Sequence, residues 1–358
     1  MEKNNLKIIV YAISKNESKF VDRWYESMKE ADAIYCLDTG STDDTVEKLK
    51  SHGVIVKQET ITPWRFDVAR NKSLEMVPND VDICVCTDLD EVFEPGWREK
   101  LEKTWDNSDR LRYKYNWSLD DSGNPLVTFL YEKIHSRKNY RWIYPVHEIL
   151  ECLKDSEKVV INEDIVLNHY PDATKSRSSY LQLLELSVKE NPDNDRNLHY
   201  LGREYMYYGR WNESIDTLIK HINLPTATWA EEKSASMRFI SRCYINLNRR
   251  EEAKYWLQRA ISESPNQREG YVELAMLELE NKNYLEVIIN CLKAKTILTN
   301  AMIYINEPFC WDSTIDDLLS ISYYSLGIKD EAIYYINKAL ETNPNNERLQ
   351  KNKEIFTS

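Results

Sequence analysis

The first ninety residues alternate between short apolar runs and amphipathic stretches, and this alternation limits the possible folds more than any other feature. Four apolar runs lie at 6–13, 33–37, 54–56 and 81–86. Helical periodicity lies between them, at about 18–31, 43–52 and 66–77. This succession predicts a mostly parallel sheet with helices on both faces. Ligands of such sheets bind beyond the carboxyl ends of the strands, so the residues after each run are the candidates for function.

The segment from about 92 to 175 is more irregular and richer in aromatic residues. Strand patterns lie at 112–117 and 127–133 around a turn at 121–124, and two more follow at 141–150 and 159–169. We expect these strands to complete the sheet and to form a wall of the site.

After Pro171 the chain changes to long helical patterns in which a unit recurs. Copies run through residues 201–215, 242–265, 271–299 and 322–344. Spacing near 34 residues, with small residues where helices approach and Pro at unit ends, is typical of tetratricopeptide repeats. An unrelated helical bundle is the alternative. We therefore predict an α/β domain at 1–172, with a Rossmann-like mostly parallel sheet, followed by an all-α tetratricopeptide-like repeat domain at 173–358.

The charge balance argues against a nucleic-acid partner. Lys and Arg number 47 and Asp and Glu number 59, a net charge of −12, and no basic stripe is present. The early apolar run at 6–13 is too short to span a membrane, and no signal peptide surrounds it. The seven cysteines are scattered, which favours reduced thiols. The sequence thus predicts a cytoplasmic protein without a transmembrane segment.

Two acidic segments follow predicted strands. Asp38 begins the segment 38–45, and a carboxylate at the end of a strand can bind ribose or the edge of a base. Gly40 allows the backbone to approach a ligand closely. The alternative is ordinary turn chemistry.

Asp88 and Asp90 follow the fourth run, and alternate side chains of an extended segment face the same side. Two such carboxylates suit Mg²⁺ or Mn²⁺ bound to a diphosphate. The alternative is an acidic loop that caps the next helix.

Five motifs occur in a fixed order along the first half of the chain. They are Ser14-Lys15-Asn16-Glu17, the segment 38–45, Phe66-Asp67-Val68-Ala69-Arg70-Asn71, the segment 88–91 and Trp142-Ile143-Tyr144-Pro145-Val146-His147-Glu148. In this order they resemble the family 2 glycosyltransferases of GT-A fold. More narrowly, the chain resembles bacterial members with a tetratricopeptide tail, a group that includes the SunS-like peptide S-glycosyltransferases. The motifs cover about residues 6–170.

The resemblance implies a nucleotide-sugar site, with a UDP-sugar as the expected donor. Ser14, Glu17 and Asp38 would line the nucleoside pocket, and Arg70 with the adjacent Asn71 would hold the nucleotide side of the donor. An exposed helix cation is the alternative for Arg70.

The resemblance also implies roles at the acidic segment 88–91. Asp88 resembles the first carboxylate of the family's Asp-x-Asp motif, near ribose or metal. Asp90 resembles the second carboxylate, which is the direct metal ligand.

Two further residues take their expected roles from the same resemblance. Glu148 is the candidate catalytic base, with the alternative that it orients an imidazole or an arginine such as Arg141. His169 is the candidate third metal ligand, which would favour Mn²⁺ over Mg²⁺. A hydrogen-bonded structural histidine is the alternative, and His147 can exchange roles with His169.

These expectations combine into one leading hypothesis. It is a metal-dependent inverting glycosyltransferase that moves a hexose, glucose from UDP-glucose, to an acceptor such as a peptide or protein side chain. The expected partners are the nucleotide sugar, an acceptor peptide, protein or glycan, and a second copy of the chain bound through the repeats. The alternatives are a glycosyltransferase for cell-surface polysaccharide and a non-catalytic repeat scaffold.

Overall fold

The computed structural model describes residues 6–172 and 179–358, which form an α/β unit followed by an all-α unit. The first unit extends through Ser187 and includes Met302–Tyr304, and the second comprises Val188–Ala301 and Ile305–Ser358. The predicted fold class is confirmed. The predicted boundary between residues 172 and 173 borders a segment outside the described residues, and it stays a prediction. No helix in the described part of the chain is long and apolar enough to cross a membrane.

Within the described residues, ten strands and five helices belong to the first unit, and the last helix extends slightly past its end at Ser187. In chain order they are β1 Ile8–Ser14, α1 Val21–Met28, β2 Ala33–Asp38, α2 Thr45–Ser51, β3 Ile55–Gln58, α3 Phe66–Glu75, β4 Ile83–Thr87, β5 Glu91–Phe93, α4 Trp97–Thr104, β6 Arg110–Leu119, β7 Pro125–Ser136, β8 Tyr140–Ile143, β9 Ile149–Cys152, β10 Val159–His169 and α5 Tyr180–Glu190. The first four predicted strands and the three helices between them are confirmed.

Eight of these strands form one sheet in the order β3-β2-β1-β4-β7-β6-β10-β5. Strand β1 is parallel to both β2 and β4, and β2 is parallel to β3. Strand β7 is antiparallel to β4 and to β6. Strand β6 is parallel to β10, and the short β5 pairs antiparallel with the end of β10. The predicted mostly parallel sheet is therefore confirmed, and β6, β7 and β10 extend it as expected.

The single strand predicted over 141–150 is wrong. The structure has a hairpin of β8 and β9 there, outside the main sheet. Tyr144 and His147 adopt positive φ angles of 77° and 51° between the two strands. Left-handed backbone at bulky residues is uncommon and often marks a functional segment. The chain reverses here without the glycine that would have signalled a turn.

Strand β1 is buried along its whole length, because helices cover both faces of the sheet. Ile8, Val10 and Ala12 pack in the cluster that contains Trp24 of α1. Ile9 and Tyr11 face the opposite side and pack in the cluster that contains Trp142. Burial on both faces explains why the strand appears in the sequence as a continuous apolar run.

A chain of buried polar groups crosses this core. Trp142 Nε1 donates to the Tyr11 hydroxyl at 2.9 Å, and that hydroxyl lies 2.8 Å from His135 Nε2. His135 Nδ1 lies 2.7 Å from the carbonyl oxygen of Ser136. The neutral Nδ1–H tautomer satisfies every group, because Nδ1 donates to the carbonyl and Nε2 accepts from tyrosine. Burial lowers the pKa of His135 to about 3.

This histidine predicts a specific pH dependence of stability. The His135 pKa is about 3 in the folded protein and about 6.5 in the unfolded chain. Between these values the unfolded state binds one more proton, so the free energy of unfolding falls by about 1.4 kcal/mol per pH unit as pH decreases. His135→Gln keeps one donor and one acceptor but does not titrate. The free energy of unfolding can be measured with urea at several pH values between about 4 and 6. Its slope against pH should be smaller in the variant by the equivalent of one proton, and equal slopes would contradict the prediction.

The second unit consists of helices, and consecutive helices pack against each other. Its helices are α6 Asp195–Tyr207, α7 Trp211–Asn223, α8 Ala230–Asn246, α9 Arg250–Glu263, α10 Arg268–Glu280, α11 Tyr284–Lys295, α12 Thr314–Ser325, α13 Lys329–Thr342 and α14 Glu347–Thr357. A longer connection with a short 3₁₀ helix, Pro308–Cys310, precedes α12.

Gly202 shows why small residues recur in these helix pairs. A Cβ atom at this position would lie 2.5 Å from Leu218 Cδ2 of α7. Glycine is therefore required for the close approach of α6 and α7. The pairs follow the recurring unit seen in the sequence, and the all-α, tetratricopeptide-like interpretation is confirmed.

Candidate active site

The parallel ladders bring the ends of three strands to one edge of the sheet. Ser14 at the end of β1 lies opposite Asp38 at the end of β2. Ala12 of β1 lies opposite Thr87 at the end of β4. The segments after β1, β2 and β4 therefore begin side by side, as expected for the carboxyl edge of a parallel sheet.

Asp38 organises the loop that follows β2. Its side chain is fully buried. One carboxylate oxygen accepts hydrogen bonds from the backbone N–H groups of Gly40 at 3.2 Å and Ser41 at 3.0 Å, and the other accepts from Ser14 Oγ at 3.1 Å. Gly40 has φ of 112°, which glycine adopts without strain. The turn role given as the alternative is present, and the predicted nucleoside contact stays a prediction.

Glu17 lies in the same region of the edge. Its side chain is buried, and its backbone N–H donates to Thr45 Oγ1 at 2.8 Å. Ser14 is buried as well. The structure thus brings Ser14 to Asp38 and ties the segment of Glu17 to the start of α2.

Asp88 is held between two buried cations. Its Oδ1 accepts a hydrogen bond from Arg70 Nη2 at 2.6 Å, and its Oδ2 accepts one from Lys133 Nζ at 2.9 Å. The side chains of Arg70 and Lys133 are 3% and 5% exposed. Arg70 is therefore not the exposed helix cation given as its alternative. Both oxygens of Asp88 are engaged by cations of the protein.

Glu91 joins the same charge cluster. Its Oε1 accepts a hydrogen bond from the Tyr115 hydroxyl at 2.8 Å and lies 3.4 Å from Lys133 Nζ. Its Oε2 accepts the backbone N–H of Asp88 at 2.9 Å. Glu91 therefore fixes the conformation of the loop in which Asp88 and Asp90 lie.

The pairing determines the protonation of these groups. Burial raises the pKa of Asp88, but Arg70 and Lys133 outweigh burial and hold that pKa well below its usual range. Burial acts to lower the pKa of Lys133, and the carboxylates Asp88 and Glu91 raise it above the usual value. Burial also raises the pKa of Glu91. Asp88 is consequently a carboxylate and Lys133 an ammonium at neutral pH.

Arg70 also holds the candidate base. Its Nε donates to Glu148 Oε1 at 2.9 Å, while its guanidinium lies over the ring of Trp142, 5.5 Å from the centroid. The alternative for Glu148 was that it orients an imidazole or an arginine such as Arg141, and the structure has such an arginine pairing, with Arg70. Arg141 pairs instead with Glu151. Arg70 therefore links Glu148 to Asp88.

Asn71 fastens the β8–β9 hairpin to α3. Its Nδ2 donates to the carbonyl oxygen of Trp142 and its Oδ1 accepts the backbone N–H of Trp142, both at 2.8 Å. The Asn71 side-chain amide thus pairs with the backbone of β8 in the way that a neighbouring strand would. Its place near the nucleotide stays a prediction.

Asp90 and His169 face each other because β5 pairs with the end of β10. Tyr170 donates its backbone N–H to the carbonyl oxygen of Asp90 at 2.8 Å. His169 Nδ1 lies 2.9 Å from the carbonyl oxygen of Trp117, so it carries the proton, and Nε2 lies 3.6 Å from Asp90 Oδ2. Burial lowers the pKa of His169, but Asp90 outweighs burial and the pKa is raised.

The three predicted metal ligands fall into two groups. Asp90 Oδ2 and His169 Nε2 are near enough to share a divalent ion, and the hydrogen bond to Trp117 fixes the tautomer that metal binding needs. In the described part of the chain, the one group of three such side chains within 4.8 Å of one another lies in the second unit. Asp88 does not complete a set with Asp90 and His169. Phosphate oxygens and water usually complete such hard-ion sites.

His169, rather than His147, is the histidine beside Asp90. The ring of His147 lies 6.0 Å from that of Tyr180. The ring of His169 stacks on Trp117 at 4.6 Å, and the Trp117 side chain is half-exposed. Trp142, by contrast, is buried in the core. Trp117 is the exposed aromatic side chain at this edge that sequence reasoning missed.

Lys133 is the most consequential residue that the sequence analysis missed. Strand β7 places Tyr131, Lys133 and His135 at alternate positions, and Lys133 and His135 are both buried. A lysine at an inward position of a strand is rarely buried without a charged partner. The position of Lys133 in the strand pattern was therefore a signal of a buried charge. Its partner Asp88 lies just after β4, and only the pairing of β4 with β7 in the sheet reveals this contact.

Comparison with known proteins supports the family resemblance. Residues 9–149 match the family model of glycosyl transferase family 2. The chain is 27% identical over 238 residues to the SPbeta prophage-derived glycosyltransferase SunS of Bacillus subtilis (strain 168), which covers 60% of this chain and 52% of SunS. The chain therefore spans about half the length of that relative. The family resemblance drawn from the five motifs is confirmed.

The helical region is similar to solved structures. It resembles MamA at 22% identity and a TM-score of 0.38, covering 47% of this chain and 82% of MamA. It also resembles a thermophilic TPR protein of Thermus thermophilus at 19% identity and a TM-score of 0.36, covering 50% of this chain and 90% of that protein.

Proposed function

Because residues 9–149 carry a glycosyl transferase family 2 domain, we propose that the protein transfers a hexose from a nucleotide sugar to an acceptor nucleophile with inversion. UDP-glucose is the proposed donor, and a peptide or protein side chain is the proposed acceptor. The observation that supports this most is the position of Asp38, Asp88 and Asp90 at the carboxyl ends of β2 and β4, the two strands that flank β1 in the matched domain. The helical unit would offer a surface for the acceptor, as helical repeats do.

The proposed chemistry is a single displacement at the anomeric carbon. Asp90 and His169 would hold a Mn²⁺ or Mg²⁺ ion together with the diphosphate oxygens, and this ion would stabilise the charge of the leaving diphosphate. Arg70 would add a buried positive charge beside Asp88. Glu148 would accept the proton of the acceptor from the opposite face of the sugar.

Lys133 has a positioning role in this scheme. It neutralises Asp88 and Glu91 from within the sheet, so the loop that contains Asp90 keeps one conformation. A fixed loop holds the ligand atom of Asp90 ready for the ion, which reduces the reorganisation needed on binding.

Donor binding that depends on Asp90 is the direct test. In calorimetric titrations, UDP-glucose should bind with Mn²⁺ and bind at least about 10-fold more weakly with EDTA. Asp90→Asn should weaken Mn²⁺ affinity by about 100-fold or more, because loss of a ligand should cost at least as much as loss of an outer-shell partner. The same variant should unfold like the wild type, since among the described residues the Asp90 carboxylate lies 3.6 Å from His169 Nε2 and has no side-chain hydrogen bond as short as those of Asp88.

Two controls separate the possible failures. Asp106→Asn changes a carboxylate that is 85% exposed and should leave Mn²⁺ and donor affinity unchanged. A panel of other nucleotide sugars tests donor identity. Binding of another nucleotide sugar would correct the donor alone, whereas no binding of any nucleotide sugar would overturn the proposed function and favour the scaffold alternative.

A further inference from the structure

Three buried side chains meet between consecutive helices of the second unit. They are His199 of α6, His221 of α7 and Glu232 of α8. One ring nitrogen of each histidine and one carboxylate oxygen all lie within 4.8 Å of one another, the one such group of three in the described residues. Both imidazoles are fully buried and Glu232 is 6% exposed. Neither the sugar chemistry nor the family resemblance uses these residues.

The distances approach those of a coordination shell. A tetrahedral Zn²⁺ ion with bonds of about 2.0–2.1 Å places its ligand atoms about 3.3–3.4 Å apart. His221 Nε2 lies 3.5 Å from Glu232 Oε1. The rings of His199 and His221 are 5.4 Å apart between centroids and inclined by 62°. One ligand pair is therefore nearly in place, and all three side chains offer a ligand atom within 4.8 Å of one another.

A serine on α8 orients both rings. Ser236 Oγ lies 2.8 Å from His199 Nδ1 and 2.9 Å from His221 Nδ1, and it is fully buried. With both Nδ1 atoms directed at Ser236, Nε2 is the coordinating nitrogen of each ring. A hydrogen bond to the second ring nitrogen is the usual support for a metal-ligating histidine, because it fixes the tautomer and the ring orientation.

The proton balance at Ser236 distinguishes a metal site from a hydrogen-bonded core. A hydroxyl has one proton, so without metal it donates to one Nδ1 and accepts from the other. With both Nε2 atoms bound to metal, both rings carry the proton on Nδ1, and Ser236 accepts from each. The Ser236 hydroxyl then donates its own proton to the carbonyl oxygen of Glu232, four residues earlier on the same helix. This carbonyl is a common acceptor for a serine in a helix.

We propose that His199, His221 and Glu232 bind a Zn²⁺ ion that links α6, α7 and α8. Two imidazoles and one carboxylate form a ligand set known for zinc, with a water in the fourth position. Imidazole ligands favour zinc over the hard ions Mg²⁺ and Ca²⁺. The ion stabilises the helical unit, and the proposal is independent of the nucleotide-sugar site.

The full-length protein, purified without chelator, provides the test. Elemental analysis should find about one zinc per chain, and the same amount in Asp90→Asn, which removes a proposed ligand of the other site. Removing zinc with a strong chelator should lower the melting temperature by about 5–10 °C, and added Zn²⁺ should restore it. Co²⁺ added to the zinc-free protein should give the intense visible absorption of a tetrahedral site.

Variants locate the ion. Ser236→Ala keeps all three ligands and should weaken Zn²⁺ affinity by about 10- to 100-fold. His221→Gln should abolish stoichiometric zinc. His135→Gln, at a buried histidine of the first unit, should retain it. A zinc-free wild type whose melting temperature does not respond to Zn²⁺ and which gives no Co²⁺ absorption would overturn the proposal. Stoichiometric zinc that is unaffected by Ser236→Ala and His221→Gln would overturn it as well.

Discussion

Replacing Lys133 with Met is expected to lower the free energy of unfolding by about 3–5 kcal/mol, because it leaves the buried carboxylate of Glu91 and the partly buried carboxylate of Asp88 without their shared cation. Lys133 Nζ lies 2.9 Å from Asp88 Oδ2 and 3.4 Å from Glu91 Oε1. The Glu91 side chain is 2% exposed, so water cannot replace the lost charge. Methionine keeps the length and apolar stem of lysine, so the cost arises from charge rather than from a cavity.

Urea unfolding measures this loss, and hydrogen-exchange mass spectrometry of peptides from β4 and β7 assigns it to the first unit. The matched control is Lys103→Met. Lys103 pairs with Glu99 on α4, where both side chains are 72% exposed. An exposed pair of this kind contributes at most about 1 kcal/mol. If the two variants were equally stable, the buried charge cluster would not have the structural importance given to it here.

The pH dependence provides an independent check of the cause. In the wild type, Lys133 and Arg70 hold the pKa of Asp88 below its unfolded value of about 3.9. A depressed carboxyl pKa contributes stability above the unfolded pKa, and this stability is lost as pH falls through the folded pKa. Without Lys133 the contribution shrinks. The stability difference between wild type and Lys133→Met should therefore decrease as pH falls below about 4, and a constant difference would indicate a packing defect.

The sheet was predictable because its signals are local. The run that became β1 is buried on both faces, and such a strand must be apolar at every position. The helices that connect the first strands then fix their parallel direction. The β8–β9 hairpin was not predictable, because it depends on left-handed backbone at Tyr144 and His147. Neither side chain signals that conformation.

The candidate site was predictable to the extent that it follows the carboxyl ends of β1 and of the two strands beside it. Asp38 ends β2, and Asp88 follows β4 directly. The pairing of Asp90 with His169 required that β5 turn back on the end of β10, and a three-residue strand has too few residues to show a pattern. The Asp88–Lys133 contact joins residues 45 positions apart through the order of the sheet, which no local pattern contains.

Replacing Glu148 with Gln is expected to reduce kcat by about 10²- to 10⁴-fold for a hydroxyl acceptor, the usual contribution of a general base. Glutamine keeps the shape of glutamate and one oxygen that can accept from Arg70 Nε, as Glu148 Oε1 does at 2.9 Å. Donor affinity and KM should therefore change little, whereas proton transfer is lost. The readout is UDP release from UDP-glucose with peptides that contain Ser or Cys.

Glu151→Gln is the matched control for this variant. Glu151 lies on β9 of the same hairpin and pairs with Arg141 at the surface, where the Arg141 side chain is 58% exposed. The control should keep full kcat. If Glu148→Gln lowered kcat by less than about 10-fold with every acceptor and at every pH, Glu148 would not be a base, and its role would be limited to the ion pair with Arg70.

The pH profile of the Glu148→Gln defect identifies the acceptor atom. An unperturbed thiol has a pKa near 8.5, so a few per cent is already thiolate at pH 7 and most is thiolate above about pH 9. A thiolate needs no base, so with a Cys acceptor the defect should shrink as pH rises. A hydroxyl remains protonated over this range, so with a Ser or sugar acceptor the defect should stay large. The geometry around Arg70 is the same in both cases, so the difference between the two profiles reports on the nucleophile itself.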